Sequence, residues 1–263
     1  MREAVPARPD ISIGRNEEDV LHEVRRSFLL AGRTLRNVCG DFSGWHRDRP
    51  YFALWALDVD VEPVRARIAA AQCHLDNWLL HGYRRQAHIT LSLCGFPWFE
   101  GDPDYPDVYR PVQLRRQFGA LREAFARKSV GPFEVEIGML ASFTSAPFLA
   151  VSDATGTIAV LRRVLAETEA GHRDGPYVPH VTVGLYSGEW VSELVCTRLD
   201  QFNVDKRPVR CLVERVSLTC YASRDIGGEL WRVLDVDLRN GDVRQGFSEG
   251  VWSPFLEGAS VCL

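Results

Sequence analysis

Two strand-like runs constrain this chain more than any other feature of it. QAHITLSLCG occupies 86–95 and VPHVTVGLYSG occupies 178–188, and each sets a histidine and a threonine two positions apart in an apolar stretch. On a strand, residues i and i+2 point to the same face. His88, Thr90 and Ser92 therefore share one face, and His180 and Thr182 share another with Gly184 and Tyr186 in line. Ile89, Leu91 and Leu93 point the opposite way, as do Val181, Val183 and Leu185. Each run reads as a strand with an apolar side on a core and a polar side on a cleft. Ala or Val would pack equally well at the polar positions, so a pattern written twice asks for a function.

The surrounding periodicity gives the fold class. YFALWALDVDV at 51–61 predicts a strand buried on both faces. Val64, Ile68, Leu75 and Leu79 predict a helix over 62–80, ahead of the first motif strand at 87–94. GFPWFEGDPDYPD at 95–107 reads as a loop. Leu114, Phe118, Leu121 and Phe125 predict a helix over 109–128. Phe133, Val135 and Ile137 alternate with Glu134 and Glu136 as a half-buried strand does, and 146–152 supplies a hairpin partner. Ile158, Leu161 and Leu165 predict a helix over 155–169, ahead of the second motif strand at 178–186. A further helix covers 189–202, and 209–238 reads as two long strands joined at Gly227-Gly228. Helix followed by motif strand thus occurs twice, which predicts an α+β chain of two pseudo-equivalent lobes. Residues 1–48 read as a polar N-terminal extension with a short helix at 19–32 ended by Gly32. Residues 49–238 read as the bilobal domain and 239–263 as a Gly-rich tail.

The 263 residues are 46% hydrophobic and 25% charged, enough for an ordinary core without staples. The net charge of −4 provides no basic field for long duplex nucleic acid, but leaves room for a small anion in a locally basic cleft. The seven cysteines, Cys262 among them, include no CxxC pair, and the N-terminus carries charge where a secretory leader needs apolar residues. The expectation is a cytoplasmic monomer with reduced thiols. No apolar stretch approaches the ~20 residues of a membrane-spanning helix.

Two imidazoles in one cleft can take opposite roles, one removing a proton from the attacking oxygen and the other protonating the leaving oxygen. Two threonine hydroxyls can donate to the non-bridging oxygens of a phosphate held between them. A metal site would need a third ligand at a readable spacing, and neither HxH nor HExxH occurs, so neither a metal nor a cofactor is expected.

HITL at 88–91 paired with HVTV at 180–183, the latter preceded by Pro179, resembles the signature of the 2H phosphoesterase superfamily. That superfamily includes bacterial RNA 2′,3′-cyclic phosphodiesterases once called 2′-5′ RNA ligases, plant and yeast cyclic phosphodiesterases, and enzymes that cleave 2′-5′ oligoadenylates. The resemblance spans roughly residues 50–238. It implies two lobes, each with an antiparallel sheet and flanking helices, and a groove between them. It implies metal-independent hydrolysis of a 2′,3′-cyclic phosphate or a 2′-5′ linkage on an RNA end or a small nucleotide. By analogy His180 is the base and His88 the acid, roles that exchange with reaction direction. Many bacterial members carry an arginine shortly after the second motif, where this chain has Gly184-Leu185-Tyr186, so Tyr186 is a candidate substrate contact.

Further candidates are Arg84 and Arg85, just before the first motif, for phosphate, and Phe96, Trp98 and Tyr177 for stacking on a base. His22, His46, His74, His81 and His172 share no spacing and read as surface or structural. The alternative to an enzyme is a non-catalytic module binding RNA or a nucleotide on the same fold; retention of both His-x-Thr pairs favours the enzyme.

Overall fold

The structure is a computed structural model that describes residues 17–166, 177–204, 207–247 and 250–259. His172, Cys262, the first sixteen residues and the end of the helix expected to reach 169 lie outside the described residues. The chain opens with α1 (Glu17–Ala31) and α2 (Ser43–His46), then β1 (Tyr51–Asp58), α3 (Glu62–His74), β2 (His88–Pro97), β3 (Val108–Tyr109) and α4 (Pro111–Ala126). It continues through β4 (Phe133–Ser142), β5 (Pro147–Ser152), α5 (Thr157–Leu165), β6 (His180–Thr182) and α6 (Ser192–Asn203). It closes with β7 (Val209–Val213), β8 (Arg215–Ala222), β9 (Trp231–Asp237), β10 (Val243–Gln245) and α7 (Trp252–Ala259).

These elements make an α+β fold of two sheets, ordered β10-β9-β8-β1-β2-β3 and β6-β5-β4-β7. Every pairing among the described strands is antiparallel except β2 with β3. One apolar core serves both sheets. It joins Trp55, Ile89, Leu91 and Leu218 of the first to Ile137, Leu149, Val181 and Val213 of the second, with Val64, Leu121, Leu161 and Leu199 from the helices. The helix ahead of each motif packs under the opposite sheet, α3 on β7 and α5 on β2. The core's polar knot is satisfied. Gln117 Oε1 accepts from Trp55 Nε1 at 2.9 Å and from the Tyr109 hydroxyl at 2.7 Å, while its amide donates to Leu165 O at 2.9 Å.

Several expectations shift. The helix expected over 62–80 stops at His74, because Trp78 stacks on Trp190 at 5.7 Å and Leu79 bridges to Tyr186. These long-range contacts outweigh local periodicity. The run expected as two long strands is three: β7 belongs to the second sheet, the chain crosses at Glu214, and β8 and β9 belong to the first. Their connection covers 223–230 rather than a two-residue turn. The tail adds β10 to the first sheet and packs α7 against α4, burying Trp252 and Phe255.

Candidate active site

Both motif strands are sheet edges. β3 pairs with β2 only at Phe96 and Pro97, so the His88 end of β2 is open, and β6 is the outermost strand of its sheet. These two edges lie beside each other. The proximity is electrostatic as well as spatial, since the charge of His180 bears on His88. Two distant sequence motifs thus meet because each occupies an edge and the edges face one another.

The two imidazoles are held alike. His88 Nδ1 is 2.8 Å from Gln86 O and His180 Nδ1 is 2.7 Å from Val178 O, in each case the carbonyl two residues back. A carbonyl only accepts, so Nδ1 carries the hydrogen in the neutral ring and proton exchange falls to Nε2. Burial lowers the His88 pKa to about 4, assisted by the charges of Arg85 and His180 and opposed by the Gln86 carbonyl and Asp58. Asp58 is the cross-strand partner of His88. His180 is half-buried between Phe143 and Phe148, with ring centroids at 5.1 and 5.2 Å.

Register shows which residues share the histidine faces. Thr90 pairs with Ala56 as His88 pairs with Asp58, and Thr182 pairs with Phe148 as His180 pairs with Ala150. Cross-strand partners lie on one side of a sheet, so each threonine stays beside its histidine. Ser92 does not. The register jumps from Ala56↔Thr90 to Trp55↔Ser92, leaving Leu91 as a bulge that turns Ser92 onto the Trp55 face. There its Oγ is buried without a hydrogen-bond partner. The expectation that Ser92 continues the polar face is corrected by this one extra residue.

The other sequence candidates separate. Tyr177 sits beside the first motif, its hydroxyl donating to Thr90 O at 2.8 Å. Arg84 is exposed and paired with Asp225 at 2.6 Å. Trp98 donates from Nε1 to Asp102 O at 3.0 Å and lies under the Arg110 guanidinium at 3.6 Å, which anchors its own loop. Tyr186 is fully buried, and its hydroxyl hydrogen-bonds Ser142 Oγ at 2.6 Å. That places it in the packing, not on a surface a substrate would touch. The sequence reading passed over Tyr83, whose side chain interacts with that of Thr182. It also passed over Arg162, whose Nη1 donates to Leu91 O. Arg85, beside Arg84, is the arginine whose charge reaches His88. Arg85 was a sequence candidate with Arg84, and Tyr83 carried a faint signal in preceding the motif; Arg162, on a helix remote in sequence from His88, carried none.

The N-terminal segment packs on both histidine-bearing faces. Val20, Leu21 and Val24 of α1 pack against Phe148, Ala150 and Val178, on the His180 side of the second sheet. Trp45 of α2 packs on Phe52 and Phe96, on the face of the first sheet shared with Ala56. Between them, Thr34 N donates to Trp190 O at 2.9 Å and Asn37 N to Tyr186 O at 2.9 Å. Gly32, with φ of 75°, makes the left-handed turn that ends α1. Among the described residues, no group of three or more His, Cys, Asp or Glu is placed to hold a metal ion, and no helix is long and apolar enough to cross a membrane.

A two-sheet α+β fold presenting a His-x-Thr pair on each of two facing edges defines a class of paired-histidine proteins. The family model described as the 2'-5' RNA ligase superfamily matches residues 59–225, and the chain belongs to that superfamily. Membership supports an enzymatic role in phosphoester chemistry and RNA processing. Among solved structures, the chain is similar to Escherichia coli LigT complexed with 3'-AMP, at 14% identity and a TM-score of 0.41, over 75% of this chain and 95% of that one. It is also similar to Kluyveromyces marxianus Usb1, at 13% identity and a TM-score of 0.41, over 72% and 99%. TT0787 of Thermus thermophilus gives 14% identity and a TM-score of 0.36, over 66% and 99%. No curated protein sequence matches the chain.

Proposed function

We propose that this protein is a metal-independent phosphodiesterase that opens a 2′,3′-cyclic phosphate, or cleaves a 2′-5′ phosphodiester, on an RNA end or a nucleotide. The observation that carries this reading is the meeting of two edge strands, each presenting a histidine tied through Nδ1 to its own backbone and a threonine beside it. One Nε2 takes the proton of a water attacking phosphorus. The other protonates the departing ribose oxygen, so a cyclic phosphate becomes a monoester. The Thr90 and Thr182 hydroxyls donate to the non-bridging oxygens, where transition-state charge gathers. A base has to be unprotonated at working pH, and a His88 pKa of about 4 meets that requirement. This favours His88 as base and His180 as acid in hydrolysis, the reverse of the roles suggested by resemblance. The Arg85 charge supports an anionic ligand beside His88.

The test is turnover of 2′,3′-cyclic AMP and of a 2′-5′ linked adenylate with EDTA present. Wild type is compared with His88→Ala and His180→Ala, and products are separated by chromatography. Turnover confined to wild type supports the reading, and a 2′- or 3′-monophosphate product identifies the bond broken. Binding without turnover in the folded wild type replaces the enzyme with a nucleotide-binding module.

A further inference from the structure

The open edge of β2 poses a question of hydrogen bonding. The bulge gives Leu91 no partner on β1, and on the other side β2 has no strand to pair with at this level among the described residues. Buried carbonyls at such an edge need donors from elsewhere. Two side chains supply them, and both come from the part of the chain that leads into the second motif. Arg162 Nη1 donates to Leu91 O, and the Tyr177 hydroxyl donates to Thr90 O at 2.8 Å. The two donors are themselves joined: the guanidinium lies over the Tyr177 ring, 3.5 Å from its centroid. Burial acts against the charge of Arg162, and two linked donors set on successive carbonyls of another strand ask for a role.

The placement supplies one. Thr90 is two residues past His88, and Tyr177 is three residues before His180. We propose that Arg162 and Tyr177 form a positioning pair that clamps the approach to the second motif onto the bulged carbonyls of the first, fixing the separation of His88 and His180. Neither side chain touches the reacting atoms; they act through the two histidines. The inference rests on those histidines being the catalytic pair. A bulge on β2 is then a working feature: it turns Leu91 O toward a donor that a regular ladder would not offer.

The experiment reads histidine coupling and catalysis separately. NMR titration of His88 in wild type and in His180→Gln gives the shift that His180 imposes on His88. The same comparison is repeated in Tyr177→Phe and Arg162→Lys backgrounds, as a double-mutant cycle. The clamp predicts that this shift falls by about half or more in both backgrounds. It also predicts that kcat for 2′,3′-cyclic AMP drops about tenfold or more with KM within about twofold, since a small displacement of reacting groups is costly. The Tyr177→Phe/Arg162→Lys double variant should be no slower than the worse single one, as expected of residues acting as a unit. A His180-imposed shift unchanged in the folded variants overturns the proposal, as does a loss expressed wholly in KM. If wild type turns over neither substrate, the phosphodiesterase reading fails by itself, while the titration still tests the clamp.

Discussion

The side chains of Tyr83 and Thr182 interact across the two sheets, Tyr83 leading into β2 and Thr182 ending β6. The contact mirrors that of Tyr177 with Thr90 O. Each half of the molecule sends a tyrosine from just before its own histidine to the motif threonine of the other half. Tyr83→Phe removes one oxygen from this arrangement and leaves the ring in place. Its expected effect is a fall of about three- to tenfold in kcat/KM, in keeping with one polar contact worth ~1 kcal/mol. Steady-state kinetics on 2′,3′-cyclic AMP measure it, with thermal melting as the check on folding. Unchanged kinetics would remove Tyr83 from the site.

The pH profile of kcat/KM follows from the His88 environment. With the ring held at about 4, a base at His88 stays unprotonated through the mildly acidic range. The acid limb of the free-enzyme profile is therefore expected near pH 4. Arg85→Ala removes a charge that lowers the His88 pKa, so the limb should move up; Asp58→Asn removes one that raises it, so the limb should move down. An acid limb near 6.5, indifferent to both substitutions, would place the base elsewhere.

The same residue links stability to pH. The His88 pKa is lower in the folded chain than the 6.5 of an exposed histidine, so below that value the unfolded state binds more protons. Stability should rise with pH between about 4 and 6.5, with His88 contributing roughly 3 kcal/mol across the window. Above 6.5 its contribution is constant. Urea unfolding at pH 4.5 and 7 measures the difference, and His88→Leu should reduce it.

The motif residues were legible because strand alternation is a local rule: His88, Thr90, His180 and Thr182 all face as period two requires. The α+β class and most helices were legible from apolar spacing for the same reason. What escaped depends on partners distant in sequence. The crossing at Glu214 between sheets leaves no mark in a run of apolar residues. Tyr186 stands in line with His180 by count, yet β6 ends at Thr182 and the tyrosine turns into the core. Arg162 looks like any helical arginine until α5 is packed against β2.

Ser92 tests the bulge directly. Counted along an ideal strand it belongs to the face that carries His88, but in the folded chain it pairs with Trp55 and its Oγ is buried without a partner. Removing an unsatisfied hydroxyl relieves a desolvation cost of about 1 kcal/mol. Ser92→Ala should therefore raise the melting temperature by a few degrees and leave kcat and KM unaltered. A loss of activity in a stably folded Ser92→Ala would mean that the serine faces substrate and the bulge is absent in solution.

The N-terminal helix gives the last prediction. Its Val20, Leu21 and Val24 stripe lies on Phe148, Ala150 and Val178, the same face of the second sheet that carries His180. Arg25 adds a two-pronged pair with Asp200 at 2.7 Å, but both side chains are about half exposed, so that pair contributes little. Apolar packing is therefore what holds α1 down. Val24→Asp sets a carboxylate against the apolar face and should cost about 2 kcal/mol or more, whereas Arg25→Ala should cost under ~1 kcal/mol. Because Phe148 also touches the His180 ring, Val24→Asp should lower kcat as well as stability. Denaturant unfolding gives the first quantity and initial rates at a temperature where the variant is folded give the second. Full activity in a destabilised Val24→Asp would show that α1 buries the sheet without steadying the histidine.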